Sequence, residues 1–336
     1  VDILDTLNRP LRDLRISVTD RCNFRCLYCM PHAEYPWAEK MEILTFEELT
    51  RLTRIFLSLG VRKIRLTGGE PLVRRDLAEL VQHLTALSGL EELSLTTNGA
   101  LLGAHAQALG AAGLSRINVS LDTLRPERFR QLTQRGDLQQ VLDGIEAARS
   151  AGLTPVKINT VVMRGTNDDE ILDLVTYARD RDFEIRFIEF MDVGNSNNWD
   201  ASKTVSKAEI LNVIRTRFQI DEAGRRDGRA PAVDYRFADG RGALGIIGSV
   251  TEPFCSSCTR ARLTADGRFV TCLFSSTGFD LKSLVRGNAS DTEILEAIQR
   301  VWGSRTDRYS DDRWEALSKG QPFSRGNKIE MITLGG

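Results

Sequence analysis

The chain has 336 residues, 41% hydrophobic and 27% charged, with a formal net charge of −1. That is the size of one large domain or two ordinary ones, long enough for a sizeable core. It offers no basic field to draw nucleic acid or an anionic membrane, and no apolar run approaches the roughly 20 residues of a membrane span. The first residues, VDILDTLNRPLRD, hold acids and no apolar stretch, so no signal peptide is legible, and a start at Val1 leaves room for residues upstream. Only eight of the 45 basic residues are lysine, so any one arginine, taken alone, reads as a solvated surface group.

In chain order, the first two-thirds alternate short β-rich runs with amphipathic helical stretches. The spacing predicts strands over 14–18, 63–67, 92–97, 116–121, 156–163 and 184–191, and helices over 45–59, 76–87, 138–151 and 168–181. Thr45, with Glu48 three residues on, is a capping box, and Gly60 ends the helix they open. Strand and helix in repeated alternation make an α/β fold with a parallel sheet. Runs such as IRL, INVSL and IRFIEF do not alternate cleanly and read as buried on both faces. Four strands end in polar or glycine residues: Thr67-Gly68-Gly69-Glu70, Thr96-Thr97-Asn98, Ser120-Leu121-Asp122 and Glu189-Phe190-Met191. Barrels and open parallel sheets place ligands at that end, so residues 1–220 are predicted as a barrel or half-barrel with a ligand across its mouth. From about Asp221 the character changes. EAGRRDGRAPAVDY reads as loop, and short strands follow near 245–250 and 262–272 around a hairpin turn, Ala265-Asp266-Gly267-Arg268. Two short helices and an irregular tail complete a smaller C-terminal region, 221–336.

The six cysteines form two triplets, Cys22/Cys26/Cys29 and Cys255/Cys258/Cys272, with none left over. Disulfides consume cysteines in pairs, so neither triplet closes on itself. Three thiolates are one short of a closed structural site, which leaves a metal position open for chemistry. The spacing Cys22-x3-Cys26-x2-Cys29 suits three irons of a four-iron cluster with the fourth bare, able to bind a small molecule and pass it an electron. A zinc knuckle with His32 as fourth ligand is the alternative. Cys255-x2-Cys258-x13-Cys272 suits a second such cluster, whose open iron could take a substrate nitrogen. Structural zinc is the alternative there, with a ligand brought from far along the chain. Reduced, metal-binding cysteines point to the cytoplasm. Tyr28, just before the third cysteine, suits a stacking or backbone contact with an adenine-like ring.

The first triplet with its preceding aromatic, followed one strand later by Gly68-Gly69-Glu70-Pro71, resembles the radical S-adenosylmethionine enzymes. The second triplet, running into Cys258-Thr259-Arg260-Ala261-Arg262-Leu263, resembles one branch of them, the GTP 3′,8-cyclase family of molybdenum cofactor biosynthesis. The likeness covers essentially the whole chain: LRISVTDRCNFRCLYCMP, IRLTGGEPLVR, LTTNG, NVSLDTL, PVKINTVVMRG, RFIEFMDVGN, FCSSCTRARLTADG and Gly335-Gly336. It implies an incomplete (β/α)6 TIM-like barrel of radical S-adenosylmethionine type with a smaller C-terminal α+β region. It implies two [4Fe-4S] clusters and S-adenosylmethionine as cofactors, and GTP as substrate. An electron donor and a downstream cyclic pyranopterin monophosphate synthase would be its partners, and the chain would act as a monomer or a homodimer. Around S-adenosylmethionine the resemblance places Tyr28, Gly69 with its backbone toward the methionine amino group, Ser120 near ribose and carboxylate, and Met191 against the adenine. A radical made from S-adenosylmethionine would remove hydrogen from C3′ of the GTP ribose, and that carbon would attack C8 of the guanine.

A triphosphate calls for planar arginines that grip its oxygens in pairs. Arg15, Arg65, Lys157, Arg260 and Arg262 stand where they could converge, and the resemblance adds Thr96 to the GTP contacts. Arg260 and Arg262, two apart on a predicted strand, share a face. Arg15 and Arg65 read equally well as members of strand-face salt bridges. Arg186 reads as a catalytic or cluster-adjacent group, or as a partner of Glu189. Arg225 reads as a surface arginine. Residues 328–334 are apolar and β-prone, so the tail is predicted to pack. Gly335 and Gly336 would carry a slim strand into the active site, where the resembled family needs it for the substrate radical to reach product. Two rival readings stand beside this one: a radical peptide or cofactor maturase with an auxiliary cluster, and a two-site zinc scaffold without enzymatic activity.

Overall fold

A computed structural model of the protein describes residues 2–323 and 326–335. Six strands, β1 (Asp13–Ser17), β2 (Lys63–Thr67), β3 (Glu92–Thr97), β4 (Arg116–Ser120), β5 (Val156–Val162) and β6 (Glu184–Glu189), lie parallel in chain order. Helices α1 (Phe46–Ser58), α2 (Leu77–Thr85), α3 (Leu102–Ala111), α4 (Pro126–Thr133), α5 (Leu138–Ser150) and α6 (Ile171–Asp180) form the crossovers. The capping box at α1 is present in both directions, Glu48 N–H to Thr45 Oγ1 at 3.2 Å and Thr45 N–H to Glu48 Oε2 at 2.8 Å. Gly60 just beyond takes φ +102°, a conformation open to glycine alone at little cost.

The C-terminal region extends the same sheet at both edges. After α7 (Lys207–Arg215), strands β7 (Ile220–Arg225), β8 (Val233–Phe237) and β9 (Ala243–Ile247) form an antiparallel ribbon, with β9 parallel to β6. On the other side β10 (Arg260–Leu263) runs parallel to β1, followed outward by β11 (Arg268–Val270) and β12 (Phe279–Asp280). The result is one 12-stranded sheet with β1–β6 at its centre. Residues 222–235, predicted as loop, are largely the edge hairpin β7–β8. An edge strand meets solvent on its outer side, so it carries little apolar signal, and Gly224 (φ +80°) sits at a bulge that breaks the pattern further. Among the described residues the region beyond β12 holds four helices, not two: α8 (Leu281–Arg286), α9 (Asp291–Gly303), α10 (Tyr309–Ser318) and α11 (Met331–Leu334). Among the described residues no helix is long and apolar enough to cross a membrane.

The central strands alternate after all. Leu14, Ile16, Ile64, Leu66, Leu93, Leu95, Ile117, Val119, Ile158, Ile185 and Phe187 join one core with the helices, each 1% exposed or less. The intervening positions, Arg15, Arg65, Ser94, Thr96, Arg116, Asn118, Asn159 and Arg186, point to the opposite face and line a cavity. Both faces have low exposure because one is covered by helices and the other encloses a polar chamber. Burial is two-sided, as predicted, but polarity still has a period of two.

Candidate active site

The polar face of β1–β6 and β10 surrounds a single cavity of about 760 Å³ that both cysteine triplets line. The first triplet sits on a turn after β1, closed by Cys29 N–H and Met30 N–H donating to Cys26 O at 3.0 and 2.7 Å. That turn is seated on the loop after β2, where Gly69 N–H donates to Thr19 O and Glu70 N–H to Arg21 O, each at 2.8 Å. A Cβ on Gly69 would lie 2.3 Å from Arg21 O, and one on Gly68 would lie 2.8 Å from Thr19 O. The glycine pair is thus required first by the close approach of two backbones, which brings the triplet against the ends of the strands. Burial pushes the thiols up, Cys22 to about 11 and Cys29 to about 12, and Cys26 rises for the same reason with its two neighbours adding repulsion. Left bare they stay protonated, so binding a metal here releases protons.

Two carboxylates knit the strand ends above this turn. Glu70, fully enclosed, accepts from Thr97 Oγ1 and Asn98 N–H at 2.7 Å and from Leu72 N–H at 3.0 Å. Burial outweighs those bonds and raises it to about 7. Asp122 accepts from Tyr28 Oη–H at 2.5 Å and from Val161 N–H at 2.8 Å, and burial brings it to about 6. Tyr28 is therefore held by its hydroxyl, packed against the cluster of Leu132, Met163 and Phe190, and it lines the cavity as Ser120 and Met191 do.

The second triplet lines the same cavity from the β10 side. Arg305 donates to Cys258 O at 3.0 Å and to its Sγ at 3.5 Å, and Arg260 reaches the same sulfur at 3.4 Å. Burial pushes the Cys258 thiol up, but Arg260 and Arg305 outweigh it and bring it down to about 6. Burial raises Cys255, and lifts Cys272 to about 12. Behind them Arg9 donates to Cys255 O and Asp307 O, each at 2.8 Å, and to Asp5 at 2.6 Å. Arg260 and Arg305 supply the positive charge at Cys258, while Arg9, neutralised by Asp5, holds the backbone of the triplet; sequence reasoning named Arg260 but missed Arg9 and Arg305. Arg305 lies 47 residues from the cysteine it touches, and no local pattern marks it.

Between the triplets stands a girdle of arginines. Register places Arg15 beside both Arg262 and Arg65, and Arg65 beside Ser94, which in turn faces Arg116. Burial and mutual repulsion lower all three charged neighbours: Arg15 and Arg65 fall well below the usual arginine range, and Arg262 comes to about 10. Among the described residues none of these three arginines has an acid partner, so they concentrate positive charge on the cavity wall. Among the described residues Arg15 and Arg65 make no strand-face salt bridge; Arg65 meets Ser94 Oγ at 3.3 Å.

Four expectations change. Lys157 does not line the cavity: it is fully buried and paired with Glu184, and burial with the nearby Arg186 lowers it to about 7. Arg186 does line the cavity, but its partner is Glu184 (2.7 and 3.0 Å), two residues away on the same face, not Glu189. Glu189 instead accepts from Lys207 N–H and Val250 N–H at 2.7 Å, tying α7 to the end of β6. Arg225 is no free surface group, since it donates to Ala230 O at 3.0 Å and Pro231 O at 2.5 Å and lies over the Phe254 ring. The tail does pack, though as the short helix α11 and not as a strand. Gly335 follows at φ +74°, with its carbonyl accepting from Arg262 at 2.6 Å. Gly336 lies outside the described residues.

The donor sets fit iron–sulfur clusters better than zinc. His32 is exposed with its ring tilted against Tyr35, and among the described residues no histidine lines the cavity. Among the described residues no three His, Cys, Asp or Glu side chains are gathered as ligands of one ion. Three thiols meant for three different irons need not converge on a single point.

A family model for the radical SAM superfamily matches residues 16–178, and one described as Molybdenum Cofactor Synthesis C matches residues 183–311. Fold, paired cysteine sites and these matches define the class, a radical S-adenosylmethionine protein with a C-terminal region of the molybdenum cofactor synthesis type. A curated relative from Staphylococcus epidermidis, named GTP 3′,8-cyclase, is 47% identical over 340 residues, covering 99% of each chain. Another of that name, from Acidothermus cellulolyticus, is 51% identical over 320 residues, covering 93% of this chain and 88% of the relative. This chain belongs to the GTP 3′,8-cyclase family. Among solved structures, Streptococcus suis SuiB bound to S-adenosylmethionine covers 91% of this chain and 69% of its own, with a TM-score of 0.62. At 14% identity that likeness is one of fold alone.

Proposed function

We propose that the protein is a radical S-adenosylmethionine GTP 3′,8-cyclase, a lyase that converts GTP to (8S)-3′,8-cyclo-7,8-dihydroguanosine 5′-triphosphate in the first step of molybdenum cofactor biosynthesis. The observation that carries this reading is that two cysteine triplets and an arginine girdle line one cavity. Cys22, Cys26 and Cys29 hold one [4Fe-4S] cluster, and Cys255, Cys258 and Cys272 a second. With S-adenosylmethionine bound at the first, the pair supplies one-electron chemistry that removes hydrogen from the ribose of the substrate.

The chain's own residues place the partners. Tyr28, Gly69, Ser120 and Met191 surround S-adenosylmethionine beyond the carboxyl ends of β1, β2, β4 and β6. Arg15, Arg65, Arg260 and Arg262 take the phosphates, with Thr96 on the adjoining wall. Lys157 acts from behind by holding Glu184, which orients Arg186 toward the substrate. Gly335, docked on Arg262, brings the tail toward the same chamber. Holding the reacting carbons within reach is the largest service a protein gives such a reaction. Residues 1–220 are the catalytic barrel in this reading, and 221–336 supply the second cluster and the tail. It implies a cytoplasmic enzyme that takes electrons from a separate donor and hands its product to a cyclic pyranopterin monophosphate synthase.

The test is anaerobic incubation of the iron-loaded protein with reductant, S-adenosylmethionine and GTP. The expected result is 5′-deoxyadenosine together with the cyclised nucleotide. Cleavage of S-adenosylmethionine with no dependence on GTP, and no nucleotide product, would overturn the substrate assignment and return the peptide-maturase reading.

A further inference from the structure

One wall of the cavity carries polar groups that the protein itself leaves without partners. Asn118, on β4, has no exposed surface, lines the cavity, and its Oδ1 and Nδ2 both lack a hydrogen-bond partner. Thr96 stands directly across from it on β3, and its Oγ1 is likewise buried and unpartnered. Most buried side-chain polar atoms in folded proteins are paired, because an orphaned amide forfeits its hydration for nothing. Two such residues in register, facing one chamber, are explained if a ligand supplies the missing bonds.

The chemistry of that ligand follows from position and from donor type. Arg116, Asn118 and Ser120 are alternate residues of one strand, so they form a column along the cavity wall. Arg116 belongs to the cationic girdle below, and Ser120 to the end where the first cysteine triplet lies. The group that sits at Asn118 is therefore the part of the substrate that lies between the arginine girdle and the first triplet, where its reacting carbon must be presented. A neutral amide offers two donors and an acceptor, and a neighbouring hydroxyl offers one of each. Phosphate would use the donors and waste the acceptors. A vicinal diol uses both.

On the reading that the substrate is a nucleoside triphosphate, we infer that Asn118, with Thr96 beside it, forms the subsite for the ribose hydroxyls. It is a substrate-binding residue whose role is to select ribose over deoxyribose and to present the sugar in one orientation. A cluster of arginines cannot do this, since it grips phosphates without sensing the sugar. The amide meets the sugar itself.

The experiment uses the reconstituted holoenzyme with S-adenosylmethionine and without reductant, so that nothing turns over. Binding of GTP, 2′-deoxy-GTP and 3′-deoxy-GTP is measured by calorimetry for the wild type, Asn118→Leu and Thr96→Val. The wild type should bind at least one deoxy analogue roughly tenfold more weakly than GTP, the value of a hydrogen bond whose loss strands a buried partner. Asn118→Leu should bind GTP about as weakly as the wild type binds that analogue, and should treat the two alike; Thr96→Val should narrow the gap. Replacing an orphaned amide by an apolar group of similar size should also raise the melting temperature of the unliganded protein. A variant that melts lower or fails to fold would make the amide structural, and a variant that keeps the full discrimination would place the sugar elsewhere. Either overturns the subsite while leaving the nucleotide reading intact. A wild type that does not bind GTP overturns both.

Discussion

Substituting Gly335 by alanine probes the seating of the tail with a single methyl group. The residue takes φ +74° and ψ 141°, in a region that costs a non-glycine residue about 1–3 kcal/mol. The added Cβ would stand 2.0 Å from Thr67 Oγ1 and 2.8 Å from Thr67 Cβ. Thr67 cannot yield easily, because it is 1% exposed and its hydroxyl donates to Ile16 O at 3.3 Å. The tail must lift instead, and it then gives up Arg262 Nη1 bonds to Gly335 O (2.6 Å) and Leu334 O (3.2 Å). Water replaces part of what is lost, so the backbone strain sets the lower bound: the docked population falls roughly fivefold or more. Gly335→Ala should therefore cut cyclised product by about that factor while 5′-deoxyadenosine formation changes less than twofold. Digestion by carboxypeptidase should become faster in the same variant, independently of turnover. Full product yield with unchanged resistance to digestion would refute the docked tail. Equal loss of both products would mean that the strain passes through Thr67 and Gly68 to the loop of the first triplet.

Three more outcomes are expected. Cys26→Ala should abolish S-adenosylmethionine cleavage and lower bound iron from about eight atoms to about four, whereas Cys258→Ala should keep cleavage and lose the nucleotide product; iron and sulfide analysis with product assay separates the two. Arg65→Ala should weaken GTP binding roughly ten- to a hundredfold and S-adenosylmethionine binding little, since a charge-assisted bond contributes about 1.5–3 kcal/mol. Arg149, exposed and paired only with Glu146 at 2.7 Å, is the control, and equal losses in both ligands would make Arg65 a structural residue. Glu70 has its folded pKa raised from 4.5 to about 7, so the folded state favours its protonated form. The contribution is present below pH 4.5 and is lost as pH rises through 7, about 3 kcal/mol in all. The stability gap between wild type and Glu70→Gln, measured by denaturant unfolding, should thus shrink from pH 5 to pH 8; a gap independent of pH would show that Glu70 titrates normally.

Much of the barrel was legible because its determinants are local. The capping box at Thr45 involves residues three apart, the turn at Gly267 (φ +83°) is a backbone requirement of one residue, and each cysteine pair on the first loop lies within a single turn of chain. Spacing alone therefore marked the two cysteine triplets as candidate ligands and placed β1 to β6 to within two residues at each end. What sequence could not decide is which polar strand residues meet a ligand and which meet one another. Lys157 and Asn159 are two residues apart on β5 with the same parity, yet Lys157 is spent on Glu184 while Asn159 reaches the cavity. Arg65 and Arg116 share the girdle, but only Arg116 is matched to an acid, Glu92. Those outcomes depend on strand register, on which neighbour fills the adjoining space and on how deeply each group is buried. The same holds for Arg9 and Arg305, which reach the second triplet across 246 and 47 residues of chain, and for β10, which pairs with β1 from the far end of the sequence. Hydrophobic period and turn chemistry act over a few residues and are written in order along the chain. The balance of desolvation against pairing acts across space, and is settled only when the sheet has brought distant strands together.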